Sequence, residues 1–442
     1  MEALLDSLPI AAAAATTGTV VVKQALPYLR CAEDWPLTLE RGRFEYMGLV
    51  EMSEHCHGLV PEPYHFDEVL GALVMEYIPP THTVLRYSLI EGRRYSTFAR
   101  HLGTFLARSL FFTSGIHLTG PQLRAKVAFW STNAEMNDVL LQCIFVEPWV
   151  ETPTNRWTLP QLDDVAASIR GDVPLRIAVA ELREKWTSPQ LDDVAASIRG
   201  DVPLRIAVAE LREKFMCETQ ALIHSDFHTG AAMVCEGSTF VIDPEFAVYG
   251  PMGFEVGAIL AGLIISYCSQ RGHRSAAELD AYGDWLLAQV VTLHETFERA
   301  FLALWSDPAL AAGCTWPQRQ FAGEGELRAA QAHFMRRLWR DTVGFAGVKV
   351  MRRIIGRIHF DDFETIVDAD VRAACERRAL TIGRTLVKEP DSVANALADK
   401  QCHELDNVMA HTAIAILAFV AMPGWTWDLL EPRNGSAAHS EN

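Results

Sequence analysis

Two aspartates seventeen residues apart, Asp226 and Asp243, stand in settings that phosphoryl transfer requires. Asp226 follows the apolar run Ala221-Leu222-Ile223 in a His224-Ser225-Asp226 turn. Its carboxylate is expected at a strand end, where it can orient an acceptor hydroxyl as a general base. Asp243 follows Thr239-Phe240-Val241-Ile242 and shares the tripeptide Asp243-Pro244-Glu245 with a second carboxylate. Two hard oxygen donors there suit Mg²⁺ held between nucleotide phosphates. A hairpin turn at Glu236-Gly237-Ser238 is expected to join the two strands and bring the aspartates together. A lone His-x-Asp is a weak signal, and its pairing with Asp-Pro-Glu is a strong one. The competing reading makes both residues ordinary loop aspartates beside core strands.

The elements that must hold these groups are legible from periodicity. Thr19 to Leu26 reads as a strand containing Lys23, followed by a proline-containing loop and an amphipathic stretch around Leu39 to Val50. Leu70 to Ile78 reads as a buried strand running into Pro79-Pro80. From Tyr95 to Phe112 the residues Phe98, Leu102, Phe105, Leu106 and Leu110 recur at three and four spacing, the mark of a core helix. Phe254 to Tyr267 is apolar nearly all round and reads as a central buried helix, and helices dominate from Ala276 to Leu386. Arg352 and Arg353 are adjacent on an otherwise apolar helix, which is costly unless they face an anion or a polar cavity. The alternative is that one of them caps a helix or pairs with Asp361 or Asp362.

The segments HSDFHTGAAMV, VIDPEFAVYGPMGFEVGA, VVVKQALPYLRCAEDWPLTLERGRFE and VMRRIIGRIHFDDFETI resemble the methylthioribose kinase family. That family belongs to the superfamily of aminoglycoside and choline phosphotransferases, and the likeness spans nearly the whole chain. The resemblance implies an α+β, two-lobed protein-kinase-like fold. Residues 1–80 would form a small β-rich nucleotide-binding lobe, 81–430 a helical lobe with the catalytic and metal motifs, and 431–442 a tail. It implies ATP- and Mg²⁺-dependent phosphorylation of the anomeric hydroxyl of 5-methylthioribose, a step of methionine salvage, by a homodimer. Asp226 would be catalytic and substrate-binding, with Arg352 and Arg353 near the sugar. Lys23, paired with Glu45, would contact the α and β phosphates, a surface pair being the alternative for these two. Glu76, Tyr77 and Ile78 would form the hinge against adenine. Asp243, Pro244 and Glu245 would form the nucleotide–metal motif, with Asp243 and Glu245 as ligands. Two other readings stay open: a kinase for another small alcohol, and a catalytically impaired nucleotide-binding paralogue or truncated product.

Composition sets the outer bounds. The chain of 442 residues is long enough for two lobes, with 49% hydrophobic and 21% charged residues. Its 39 basic and 56 acidic residues give a net charge of −17, which argues against a broad nucleic-acid surface. Nine cysteines form no Cys-x-x-Cys pair and read as reduced thiols of a cytoplasmic protein. No signal or transit peptide is expected, since the leader's first basic residue is Lys23 and it carries Glu2 and Asp6. The apolar run Ala413 to Met422 is too short to span a bilayer.

Two irregularities complicate the picture. Residues Trp157–Lys185 are repeated as Trp186–Lys214 with one change, Leu159 becoming Ser188. Two copies do not make a solenoid, and a recent duplication or a gene-model error fits better. Ser188 before Pro189 can cap a helix and Leu159 cannot, so the second copy is expected to dock and the first to be extruded as a surface helix. The second irregularity is the leader Met1 to Val22, whose single glycine, Gly18, matches no phosphate loop, so the small lobe reads as incomplete at its start. Within the catalytic motif Ser225 stands where the family has glycine, a change tolerable if its backbone is not left-handed. Ala231 likewise replaces a small polar residue.

Overall fold

The valines Val20, Val21 and Val22 prefer a pleated surface and lie in β1 (Val20–Gln24) of a three-stranded antiparallel sheet. The computed structural model describes residues 18–29, 32–150, 152–163, 165 and 201–392. The leader ahead of Gly18, the apolar run Ala413–Met422, the tail and Ser188 lie outside them. A small hairpin follows, β2 (Tyr28–Leu29) and β3 (Ala32–Pro36), then helix α1 (Arg41–His55). Strands β4 (Pro63–Asp67) and β5 (Ala72–Glu76) complete the sheet in the order β1-β5-β4, with Lys23 opposite Leu73. Helix α1 lies against β4 and β5 and buries Phe44, Glu45, Gly48, Leu49 and Met52.

After Glu76 the chain passes Tyr77 and Ile78 into β6 (Thr83–Val84) and a mainly helical region. Helices α2 (Leu85–Glu91), α3 (Phe98–Phe112), α4 (Gly120–Trp130) and α5 (Ala134–Leu140) follow. A π-helical segment, Leu141–Val146, extends α5. The second half contains α6 (Val202–Cys217), β7 (Ala221–Ile223), β8 (Ala232–Cys235), β9 (Ser238–Val241) and β10 (Val248–Gly250). It ends with α7 (Met252–Ser269), α8 (Ala276–Ser306), α9 (Glu324–Ile355), α10 (Asp361–Glu364) and α11 (Ala369–Lys388).

Helix α7 is buried on nearly every side, as its unbroken apolar sequence demands. It is the one described helix apolar and long enough to cross a membrane by composition, and 94% of that stretch is buried within the protein. Helix α9 packs closely on it: a Cβ on Gly257 would lie 2.7 Å from the Thr342 carbonyl oxygen, so only glycine permits the crossing. This contact fixes the two helices that surround the Asp226 turn.

The strand pairing differs from the expected hairpin. The turn at Glu236-Gly237 joins β8 to β9, whereas β7, which leads to Asp226, pairs with β10. The two aspartate-bearing segments are instead tied by His224, whose Nε2–H donates to the Ile242 carbonyl at 2.8 Å.

The duplicated region also departs from expectation, because the first copy is not extruded as a whole. Leu162 and Val165 of that copy are buried, Trp157 Nε1 donates to Asp163, and Arg372 of α11 donates to Thr158. From the second copy, Asp201 caps α6 at the Leu204 N–H and pairs with Arg384 and Lys388 of α11. Leu204, Val208, Leu211 and Phe215 form the buried stripe of α6. The start of one copy and the end of the other therefore dock side by side along α11.

Candidate active site

The residues read from the sequence as catalytic converge on one cavity of about 490 Å³. Asp226, Asp243, Glu245, Arg352 and Arg353 all line it, together with Arg41, Arg86, His228 and the apolar Leu29, Val139, Leu140 and Phe360. Two of the three described non-glycine residues with positive φ lie in the motifs: Ser225 and Asp243, each at 70°. Such strain clusters where a side chain must be aimed. Ser225 is left-handed after all, contrary to the condition under which serine was tolerable there.

Asp226 is surrounded by basic side chains. Arg352 and Arg353 lie 3.3 and 3.4 Å from Oδ1, Lys349 lies 3.9 Å from it, and His228 Nε2 lies 3.4 Å from Oδ2. These three basic side chains of α9 occupy i, i+3 and i+4, one face of the helix. Their contacts are longer than tight charge-assisted bonds of roughly 2.7–2.9 Å, which leaves the carboxylate able to accept from a ligand. Burial would raise the Asp226 pKa, but His228, Arg353 and Lys349 outweigh it and hold the carboxyl well below the ordinary range. His228 Nδ1 accepts from the Gly230 N–H at 3.0 Å, so its proton sits on Nε2, facing Asp226. Burial pushes this imidazole down to about 4, so it is neutral near pH 7 and leaves Asp226 as the ionised base of the pair. Neither arginine pairs with Asp361 or Asp362; Arg86 is the partner of Asp362, at 3.5 Å. Phe360 carries the guanidinium groups of Arg86 and Arg353 at 3.5 and 4.0 Å from its ring centroid.

The second cluster joins the strand-rich region to the helical one. Lys23 reaches from β1 to Glu45 at 2.8 Å and to Asp243, so the lysine–glutamate pair forms within the site. Arg41 pairs with Glu245 at 2.9 Å and also donates to the Leu26 and Tyr28 carbonyls. Pro244 seats against α1 at Gly48, where a Cβ would come within 3.1 Å of its ring. Asn133 donates to the Glu245 and Ala247 carbonyls at 3.0 Å each and pins the loop. Carboxylate oxygens of Glu45, Asp243 and Glu245 lie within 4.8 Å of one another. Burial and the Asp243 charge push Glu45 up to about 8 and Glu245 to about 7, despite Lys23 and Arg41. Asp243 and Glu245 are hard oxygen donors that could hold a divalent cation, whereas Lys23 Nζ engages both oxygens of Glu45, at 2.9 and 2.8 Å.

Glu76 ends β5, and its N–H donates to the Glu62 carbonyl at 2.8 Å, so that donor is engaged away from any hinge ligand. Tyr77 and Ile78 follow the strand as open chain. Arg41, Arg86, Asn133, Glu255 and Lys349 also belong to the site, with no motif to mark them. Two of these carried a signal: Glu255 is the one charge between Ala247 and Ser269, and Lys349 the one charge between Val343 and Met351.

Comparison with known proteins adds lineage to this geometry. Residues 49–305 match the phosphotransferase enzyme family. Methylthioribose kinase 1 of Oryza sativa subsp. japonica is 37% identical over 394 residues, covering 88% of this chain and 85% of its own. A methylthioribose kinase of Escherichia coli O45:K1 is 36% identical over 376 residues, covering 84% and 82%. Among solved structures, a glucosamine kinase aligns over 82% of this chain and 73% of its own at TM-score 0.40 and 14% identity.

Proposed function

The chain belongs to the methylthioribose kinase family of phosphotransferases, and from that premise we propose that it phosphorylates 5-methylthioribose at the anomeric hydroxyl, using ATP, in methionine salvage. The observation that carries the reading is Asp226 facing Arg352 and Arg353 in a cavity that also reaches Asp243 and Glu245. In the reaction the anomeric oxygen attacks the γ-phosphorus, its bond to the β-phosphate oxygen breaks, and the hydroxyl proton passes to Asp226 or through it to water. Asp226, ionised throughout the neutral range, orients that hydroxyl from the start. Arg352 and Arg353 sit where they can bond sugar hydroxyls and offset charge on the moving phosphoryl group. Lys23, fixed by Glu45, is the group for the α and β phosphates, and Tyr77 and Ile78 border the adenine side. Asp243 and Glu245 would hold Mg²⁺, whose chemistry is to neutralise charge on the nucleotide phosphates.

A homodimer and a cytoplasmic location accompany this reading. The family likeness supports the first, and the buried reduced thiols of Cys56, Cys268 and Cys375 support the second. Methylthioribose-dependent ATP turnover is expected to fall at least about 1,000-fold in Asp226→Ala and in Asp243→Ala. Full activity in either variant would sink the assignment of roles. Turnover of choline, homoserine or an aminoglycoside in place of methylthioribose would instead replace the substrate.

A further inference from the structure

The turn that carries Asp226 is gripped from both sides by charged groups that do not line the cavity. Ser225 is wholly buried at a φ of 70°, a left-handed conformation that is strained for an L-residue other than glycine. Its N–H and that of His224 donate to the two carboxylate oxygens of Glu255, at 3.0 and 2.9 Å. Its carbonyl accepts from Lys349 Nζ at 2.9 Å. Glu255 lies in the first turn of α7 and Lys349 in α9, the two helices that cross at Gly257. Both side chains are buried, and each is the lone charge in a long apolar segment. A charge kept in such surroundings is costly unless its bonds are made, and here the bonds of both converge on one strained peptide segment. Burial pulls Lys349 down to about 7, yet either protonation state retains an N–H for the Ser225 carbonyl.

We propose that Glu255 and Lys349 are positioning residues that hold Ser225 left-handed and thereby fix the direction of the Asp226 carboxylate. The inference rests on the reading of Asp226 as the group that orients the acceptor hydroxyl. Displacement of a catalytic group by about 1 Å costs on the order of 100-fold in rate while leaving ground-state contacts in place. Lys349→Met, close in length and uncharged, is therefore expected to lower kcat about 100-fold, with KM for ATP and for methylthioribose within about threefold of the parent. Adding Ser225→Gly, which occupies positive φ without strain, is expected to return at least tenfold of the lost kcat. Rates are taken per folded molecule, with folding checked by near-ultraviolet circular dichroism. A lysine that only stabilises the fold gives unchanged kcat per folded molecule and no gain from glycine. Unchanged kcat in Lys349→Met, or no recovery in the double variant, overturns the proposal. Glu255→Gln, isosteric and able to accept only one of the two N–H bonds, is measured alongside and judged by the same two outcomes if Lys349→Met does not fold. A parent protein without methylthioribose-dependent turnover would overturn the proposed function instead, so the two failures are distinguishable.

Discussion

At the scale of single residues, Lys349 links the site to the pH dependence of folding. The unfolded side chain titrates near 10.4, and burial, partly offset by Asp226, lowers the folded value to about 7. Between about pH 7 and pH 10 the unfolded chain holds the extra proton, so stability contributed by this group rises with pH across that window. Lys349→Met is expected to remove that rise, flattening the curve relative to the parent. Denaturant unfolding at pH 7, 8.5 and 10 checks it; parallel curves for the two proteins would contradict the assignment. Lys349 also marks the limit of reading from sequence. Asp226, Asp243, Lys23, Arg352 and Arg353 announce themselves through neighbours a few positions away. The partner of Lys349 is 124 residues distant and that of Arg41 is 204, and pairings of that range exist only once the helices have packed.

At the scale of elements, the duplicated segment is held by α11. Gln161 bonds Asp370 and offers its carbonyl to Arg377, while Asp201 bonds Arg384 and Lys388. Arg377 and Arg384 are seven positions apart on a helix, about 10 Å along its axis. Six residues span up to about 20 Å, so residues 195–200 suffice to join Val165 to Asp201. Deletion of residues 166–194, the surplus 29, is therefore expected to preserve the docked contacts and the activity. Thermal unfolding and turnover of the shortened chain check it, and a lower midpoint or lost activity would count against composite docking. Capping logic favoured the copy with Ser188, but burial of Leu162 and Val165 and their neighbours' bonds to α11 decide the start of the segment. The long helices α3, α7 and α9 were legible because their periodicity is sustained. The β7–β10 pairing was not, since strands of three residues carry almost no pattern.

At the scale of the whole molecule, the strand-rich and helical regions meet through ion pairs. Lys23 with Asp243, Arg41 with Glu245, and Arg357 with Asp34 all cross between them. Arg41 and Glu245 are the most buried of these, so removing one partner leaves an uncompensated charge. Arg41→Ala is expected to cost about 3 kcal/mol, read by denaturant unfolding; a loss below about 1 kcal/mol would mean that water replaces the guanidinium. Arg357→Ala, whose partner Asp34 is 70% exposed on its side chain, is expected to cost under about 1 kcal/mol. The composite docking of the repeat has a consequence for heredity. Any in-frame recombination that removes one repeat length between the two copies yields a single intact segment, wherever the exchange falls. Only two polypeptides can result, one with leucine and one with serine at the position of Leu159. Reversion of the duplication is thus nearly blind to where it occurs, and the fold receives almost the same side chains each time.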